Sequence, residues 1–240
     1  MSDTQNPEIS VVLPCYNEVD NIDEMIAQLC AAIDSTGRTF EIVYVDDASS
    51  DGSFEKLQQL QKTMPFLVPV RHKTNFGESA AFLTGFERIR GSIVITMDAD
   101  LQNDPADIPA MLRHLEAQNA DAVCGIRRKR IDSGSKKISS RVANGVRGWI
   151  LGDGIHDAGC TYRVMKRAAI QQLPGFRALH RFMPTIMKWH GFKVVEMEIN
   201  HRARTAGVSK YGIGNRLWVG IYDMFAMRWY KRRFFPPNRV

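Results

Sequence analysis

The feature that most constrains this chain is an alternation, repeated from residue 9 to residue 124, of short β-branched runs with stretches of helical periodicity. Ile9–Leu13 reads as a strand, and Asn21–Ile33 as a helix with Ile22, Met25, Ile26 and Leu29 on one face. Glu41–Val45 is a second strand, followed by a helix that starts near Ser50 and ends before Pro65. A short strand at Leu67–Val70, a helix over Glu78–Arg90, a strand at Ile93–Met97, a helix after Pro105 and a strand at Ala120–Cys124 complete the series. Strands joined through helices predict a parallel sheet with helices on both faces.

In such sheets ligands bind beyond the carboxyl ends of the strands. The polar clusters of the sequence fall there: Tyr16-Asn17-Glu18 after the first strand, Asp46-Asp47 after the second, and Asp98-Ala99-Asp100 after the fourth. Three clusters therefore converge on one edge.

The second half is less regular. Arg127–Lys137 reads as a basic loop, Ile138–Leu151 as a helix, Lys193–Ile199 as an alternating strand, and Tyr211–Tyr230 as a helix carrying Trp218, Ile221, Tyr222, Phe225 and Trp229. At 240 residues the chain suits one sizeable core with a tail. We expect a catalytic domain over residues 1–212 and an amphipathic basic helix and tail over 213–240.

The net charge of +6 conceals an asymmetry, because residues 1–60 carry −10 and the remainder +16. Eight Lys and Arg lie between Arg127 and Arg147, and Arg228, Lys231, Arg232, Arg233 and Arg239 follow the last acid, Asp223. Such segments suit phosphate groups, nucleic acid or an anionic membrane surface. The acidic first 60 residues speak against nucleic acid. Cys15, Cys30, Cys124 and Cys160 show no CxxC spacing, which argues against zinc and for buried thiols in a reduced, cytosolic protein. The polar, acidic N-terminus is unlike a signal peptide, and no apolar run approaches the ~20 residues of a membrane span. The six histidines lack metal spacing, and neither a Gly-x-Ser-x-Gly elbow nor a P-loop is present, so hydrolase and kinase readings lose their supports.

Asp98 and Asp100 leave a strand together, and paired hard oxygen ligands suit Mg²⁺ or Mn²⁺ bridging carboxylates to substrate phosphates. Gln102 is near enough to help. In Asp46-Asp47-Ala-Ser-Ser-Asp51-Gly-Ser, Asp51 or Ser50 can cap the next helix. The two preceding carboxylates have no such use and suit a ribose or base. Tyr16 offers a stacking face and Glu18 an acceptor, unless the segment is only a turn. Arg127 starts a charge run at a strand end, beside the expected phosphates. Arg202, Arg204 and Lys210 surround Gly207 in a segment suited to closing over a diphosphate, with an exposed basic turn as the alternative.

Together V-V-L-P-C-Y-N-E, V-D-D-A-S-S-D-G-S, D-A-D-L-Q-N-D-P, the S-x-x-A-N of Ser140–Asn144, D-A-G-C-T-Y-R at Asp157–Arg163, and R-T-A-G-V-S-K-Y resemble the family 2 glycosyltransferases of the GT-A type. The similarity runs from about Ile9 to about Lys231 and points to the polyprenyl-phosphate branch, which includes dolichyl-phosphate mannose synthases and undecaprenyl-phosphate 4-deoxy-4-formamido-L-arabinose transferases. The D-A-G-C stretch looks closer to the latter.

The resemblance implies a Rossmann-like, mostly parallel sheet and inverting transfer of a sugar from a nucleotide-sugar to a polyprenyl phosphate, with Mg²⁺ or Mn²⁺. A non-lipid acceptor is the alternative. By the same resemblance Pro14, Tyr16, Glu18 and Asp46 or Asp47 hold the nucleoside, and Asp98 and Ala99 line the diphosphate. Asp100 and Gln102 ligate the metal. Arg127, Arg204 and Lys210 contact diphosphate or acceptor phosphate, and Lys136 and Ser140 grip the acceptor phosphate. Many relatives continue into membrane-spanning helices. Membrane contact here would fall to the Leu217–Tyr230 helix, or to a separate membrane subunit, with the enzyme peripheral on the cytoplasmic face. Packing of that helix on the core or on a second copy is the other reading.

Overall fold

The computed structural model describes residues 6–127, 145, 147, 148, 150–202 and 214–235. Seven strands form one sheet: β1 (Ile9–Cys15), β2 (Phe40–Asp46), β3 (Leu67–Arg71), β4 (Ile93–Thr96), β5 (Ala122–Arg127), β6 (Arg163–Lys166) and β7 (Val194–Ile199). Their order is β3-β2-β1-β4-β6-β5-β7. The helices are α1 (Ile22–Asp34), α2 (Ser53–Gln61), α3 (Glu78–Phe86), α4 (Ile108–Ala117), α5 (Arg167–Ile170), α6 (Leu179–Trp189) and α7 (Gly214–Arg233).

The central strands are apolar on both faces, as burial between helical layers requires. Val11, Leu13, Ile42, Tyr44, Ile95 and Met97 join the layer that holds Met25, Leu29, Met111 and Leu115 of α1 and α4. Val12, Val43, Val45 and Val94 join the opposite layer with Ala81, Phe82, Phe182, Met183 and Ile186 of α3 and α6. Each of the Val, Leu, Ile, Met and Phe side chains contributes on the order of 1.5–3 kcal/mol by leaving water.

Pairing is parallel except around β6, which runs antiparallel to both β4 and β5. The sheet is therefore mostly parallel, as expected, with β6 as its antiparallel strand. β6 has only four residues, too few to show a period, and its pairing with β4 and β5 is set by tertiary contacts.

Two boundaries also differ from the sequence reading. α3 stops at Phe86, not Arg90, because the buried Glu41 carboxylate captures the Arg90 N–H at 2.6 Å and its guanidinium at 2.7 Å. β5 covers Ala122–Arg127 and not Ala120–Cys124, since β7 pairs with it as far as Arg127↔Ile199. Arg127 is thus a strand residue and not the start of a loop. The rest of the expected loop, 128–137, lies outside the described residues, as do 138–144, 146 and 149 of the expected helix. Residues 145, 147, 148, 150 and 151 are helical, and the buried Arg147 is paired to Asp153 at 2.6 Å.

α7 packs on the body by one face. Met227 is buried, Tyr230 stacks on Trp189, and the Tyr230 hydroxyl lies 3.1 Å from His190 Nε2. Lys231 Nζ donates to the Leu151 carbonyl at 3.0 Å. Tyr222, Phe225 and Trp229 are 75%, 62% and 65% exposed, which leaves an aromatic face outward. The side chains of Trp218 and Ile221 lie outside the described residues. Among the described residues no helix is long and apolar enough to cross a membrane.

Where the chain enters β4, the Gly91 N–H donates to Ser10 Oγ at 2.8 Å, and a Cβ on Gly91 would meet the Ser10 nitrogen at 2.7 Å and the Ile9 carbonyl carbon at 2.8 Å. Backbone cannot yield as a side-chain tip does. Gly91→Ala is therefore expected to cost about 1–3 kcal/mol of stability in urea unfolding, and an unchanged midpoint would refute the close packing.

Candidate active site

Because β2, β1 and β4 are adjacent and parallel, their carboxyl ends share one edge. Residues 16–18, 46–47 and 98–100 meet there, as the sequence spacing predicts.

The loops after β1 and β2 are zipped together by short hydrogen bonds. The N–H groups of Asn17 and Glu18 donate to Ser49 Oγ and Ser53 Oγ, and Asn17 Oδ1 accepts the Ser50 N–H. Asn17 takes a φ of +56° to make this turn. Glu18 accepts from Asn21 Nδ2 at 2.6 Å, and Tyr16 is 37% exposed at the rim. Asp51 accepts the Ser53 N–H at 3.0 Å at the start of α2 and the Val19 N–H at 3.1 Å. Burial alone would raise its pKa, but these bonds outweigh it and hold the carboxyl below its ordinary range. The N-cap of α2 is Gly52, at φ +91°, and neither Asp51 nor Ser50, with Asp51 bracing the turn one residue earlier.

Asp46 and Asp47, alternatives for the nucleoside in the sequence, have different surroundings. Asp47 lies 2.7 Å from His72 Nδ1 and accepts the N–H groups of Phe76 at 2.8 Å and Gly77 at 2.7 Å. It thereby ties down the loop that leads into α3. Asp46 Oδ2 takes the Ser49 N–H and faces Arg71 Nε at 3.4 Å, whereas Asp46 Oδ1 is buried without a hydrogen-bond partner. An orphaned carboxylate oxygen is costly, and a ligand hydroxyl or N–H would relieve it. Pro14 is the penultimate residue of β1, paired with Val45.

The Asp98-Ala99-Asp100 turn is made by Leu101 at φ +61° and by the Gln102 N–H, which donates to Asp100 Oδ1 at 3.2 Å. Asp100 is buried, and Asp98 is raised from 3.8 to about 6, first by burial and then by the Asp100 charge. The following segment is pinned by the residues after β7. The Arg202 N–H donates to the Gln102 carbonyl at 2.8 Å, Asn103 bridges to His201, and Arg202 Nη2 reaches Asp104 at 2.5 Å. The basic segment named in the sequence therefore departs from beside Gln102. Arg204 and Lys210 lie outside the described residues, as do Lys136 and Ser140.

Arg127 is bidentate to Asp157, with Nε and Nη2 each at 2.8 Å. A Cβ on Gly159 would come within 3.3 Å of Nη2, so the D-A-G stretch is shaped around this guanidinium. Its charge still acts on Asp98.

Three residues carry weight here that the sequence reading passed over. Arg163, the last letter of D-A-G-C-T-Y-R, is fully buried; its Nη2 donates to the His180 carbonyl at 2.8 Å, and its charge lowers both Asp98 and Glu78. The Glu78 carboxyl is pushed up from its ordinary value, first by partial burial and then by the Asp98 charge. His180 Nε2 stands 3.6 Å from Glu78. An arginine ending a motif was the available signal for the first; Glu78 and His180 had none.

Among the described residues no three His, Cys, Asp or Glu side chains form a complete metal cage. The donor set nevertheless fits Mg²⁺ or Mn²⁺, which is held by one or two carboxylates together with substrate phosphates and water. The mutual pressure of Asp98 and Asp100 is what a cation would relieve.

Residues 10–173 match the family model described as glycosyl transferase family 2. The chain is 37% identical over 217 residues to an undecaprenyl-phosphate 4-deoxy-4-formamido-L-arabinose transferase of Edwardsiella ictaluri, covering 90% of this chain and 66% of that protein. It is 34% identical over 232 residues to a dodecaprenyl-phosphate galacturonate synthase of Rhizobium johnstonii, covering 95% and 68%. The chain thus spans about two thirds of the length of these relatives. Among solved structures, mannosyl-3-phosphoglycerate synthase from Rubrobacter xylanophilus has the same fold, with a TM-score of 0.71 at 16% identity over 98% of this chain and 79% of that one. A mannosyltransferase from Pyrobaculum calidifontis, in complex with GDP-Man and Mn²⁺, gives 0.62 at 21% identity over 98% and 67%.

The raised carboxyls have a measurable consequence. Asp98 keeps its proton up to about pH 6 in the folded, metal-free protein, whereas in the unfolded chain it is lost near 3.8. The folded state binds more protons over that window, so this group's contribution to stability falls as pH rises through it. The stability difference between wild type and Asp98→Asn, measured by denaturant unfolding without metal, is expected to shift against the wild type from pH 4 to about 6. A difference independent of pH would contradict the crowding.

Proposed function

The chain belongs to glycosyl transferase family 2, and from that premise we propose that it moves a sugar from a nucleotide-sugar to a polyprenyl phosphate such as undecaprenyl or dolichyl phosphate, with Mg²⁺ or Mn²⁺. The observation that carries the reading is the Asp98-Ala99-Asp100 turn at the end of β4, with Ala99 and Asp100 buried, beside the strand ends that bear Tyr16, Glu18 and the half-satisfied Asp46. The names of the relatives, which act on undecaprenyl and dodecaprenyl phosphates, support the lipid acceptor over a non-lipid one.

In this reading Asp46, Pro14, Tyr16 and Glu18 receive the nucleoside, and Asp47 serves by holding the loop before α3. Asp98 and Ala99 line the diphosphate, and Asp100 and Gln102 would hold Mg²⁺ or Mn²⁺, which would supply charge neutralisation for the departing diphosphate. Arg202 anchors the segment that brings Arg204 and Lys210 to the same group. The acceptor's phosphate oxygen attacks the anomeric carbon in line with the departing diphosphate oxygen, inverting that centre. A phosphate monoester is already ionised at neutral pH, so no strong base is required, and rate comes from positioning and charge neutralisation. Arg127, oriented by Asp157, joins Lys136 and Ser140 in holding the acceptor phosphate.

The lipid requires the enzyme to work at a membrane surface, on the cytoplasmic face. The exposed Tyr222, Phe225 and Trp229 beside Arg228, Arg232 and Arg233 suit an interfacial helix. A separate membrane subunit would serve the same end.

Asp100→Ala is expected to lower transfer to undecaprenyl or dolichyl phosphate at least about a hundredfold at saturating donor and Mn²⁺, the scale for loss of one transition-state charge contact. Chelation should abolish transfer and added Mn²⁺ restore it; full activity in the variant would end the reading. The same assay with non-lipid acceptors separates the two acceptor classes. For the helix, Phe225→Ser with Trp229→Ser should weaken sedimentation with anionic lipid vesicles while leaving nucleotide binding intact, and undiminished sedimentation would remove α7 from membrane contact.

A further inference from the structure

Glu78 and His180 have no part in the scheme above, yet they stand beside it. Glu78 opens α3 and His180 is the second residue of α6, both in the layer that faces Val12 and Val94. His180 Nε2 lies 3.6 Å from Glu78 Oε2, and His180 Nδ1 lies 2.8 Å from Ser79 Oγ. The His180 carbonyl accepts from the buried Arg163 at 2.8 Å. The imidazole is thus held through its ring and through its backbone, and it supports the carboxylate from one side.

From the other side, the backbone just before Glu78 is fixed by Asp47, which accepts the N–H groups of Phe76 and Gly77. The His180 side chain is 14% exposed and that of Glu78 is 37%, so the carboxylate reaches open space with its support beneath it. Gly77, the residue before Glu78, is bonded to Asp47 after β2, and Arg163, which holds the His180 carbonyl, pairs with Thr96 at the end of β4, so Glu78 stands at the strand edge that carries the turn assigned to the donor.

The chemistry of the donor narrows what a carboxylate can do at that place. The diphosphate and the acceptor phosphate are anions, and their charge, like that of Asp98 and Asp100, opposes ionisation of a neighbouring carboxyl. The glycosyl group is the part of the donor that offers hydroxyls without the phosphates' charge, and a carboxyl group hydrogen-bonds to hydroxyls in either state, accepting when ionised and donating as well when protonated. We propose that Glu78, positioned by His180, binds a hydroxyl of the transferred glycosyl group and so discriminates among sugars. The proposal rests on the donor-site reading given above.

The test compares ligands that differ only by the sugar. The full chain with Mn²⁺ is titrated with UDP and GDP, and then with UDP-glucose, UDP-galactose, UDP-N-acetylglucosamine, UDP-galacturonate and GDP-mannose, in wild type, Glu78→Gln and His180→Asn. Glu78→Gln is expected to lower affinity for the preferred nucleotide-sugar about tenfold, the scale for loss of one well-placed hydrogen bond. Affinity for the matching nucleoside diphosphate should be unchanged. His180→Asn should act in the same direction and less strongly. Equal losses for nucleotide-sugar and nucleoside diphosphate would make Glu78 part of the metal or diphosphate site and overturn the proposal, as would an unchanged preference among sugars. Should Glu78→Gln not fold, Glu78→Ser gives the same comparison. A wild type that binds neither UDP nor GDP with Mn²⁺ would overturn the donor-site reading itself, which is a distinct failure.

Discussion

The site depends on how one buried positive charge is balanced. Arg163 lies wholly inside the protein, where an unpaired cation is very costly. Its guanidinium donates to the His180 carbonyl at 2.8 Å, and its charge eases the ionisation of the acids at the strand edge, Asp98 and Glu78. The dependence runs both ways, since Asp98 is already pressed by Asp100 and would be harder still to ionise without a cation behind it. The antiparallel insertion of β6 between β4 and β5 is what delivers this guanidinium. Arg163 is its first residue, paired across to Thr96 on one side and Cys124 on the other. A sheet of parallel strands alone would present the acids with no such support from below.

Legibility in the sequence followed burial on two faces. β1, β2 and β4 are continuous apolar runs because both sides meet helices, and their carboxyl ends could be counted off to the three polar clusters. β6 has four residues and shows no period, so its direction came only from its neighbours. α3 looked longer than it is because helical periodicity continues to Arg90, while Glu41, 49 residues away in sequence, takes that backbone N–H. The same limit applied at the site. Asp98, Asp100 and Gln102 declare themselves by following a strand, whereas Glu78 and His180 are 102 residues apart and meet only through the packing of α3 against α6. The basic segments at 128–144 and 203–213 remain expectations from the sequence, because they lie outside the described residues.

The acidity of the first 60 residues is a further case in which composition and function diverge. Twelve acids there suggested a broad anionic face. Glu41 is bound to Ser10 and Arg90, Asp47 to the loop before α3, Asp51 to the start of α2, Asp23 to Lys56 and Glu55 to Arg71. Glu41, Asp47 and Asp51 are parts of the scaffold that hold turns between strand, loop and helix, and Asp23 and Glu55 form ion pairs at the surface. Asp46 differs from them in a way that charge counting does not detect, since one of its oxygens is buried with no partner. Neighbouring aspartates of identical type are thus separated by hydrogen-bond accounting: Asp47 is satisfied by the protein and holds the frame, whereas among the described residues Asp46 Oδ1 has no partner.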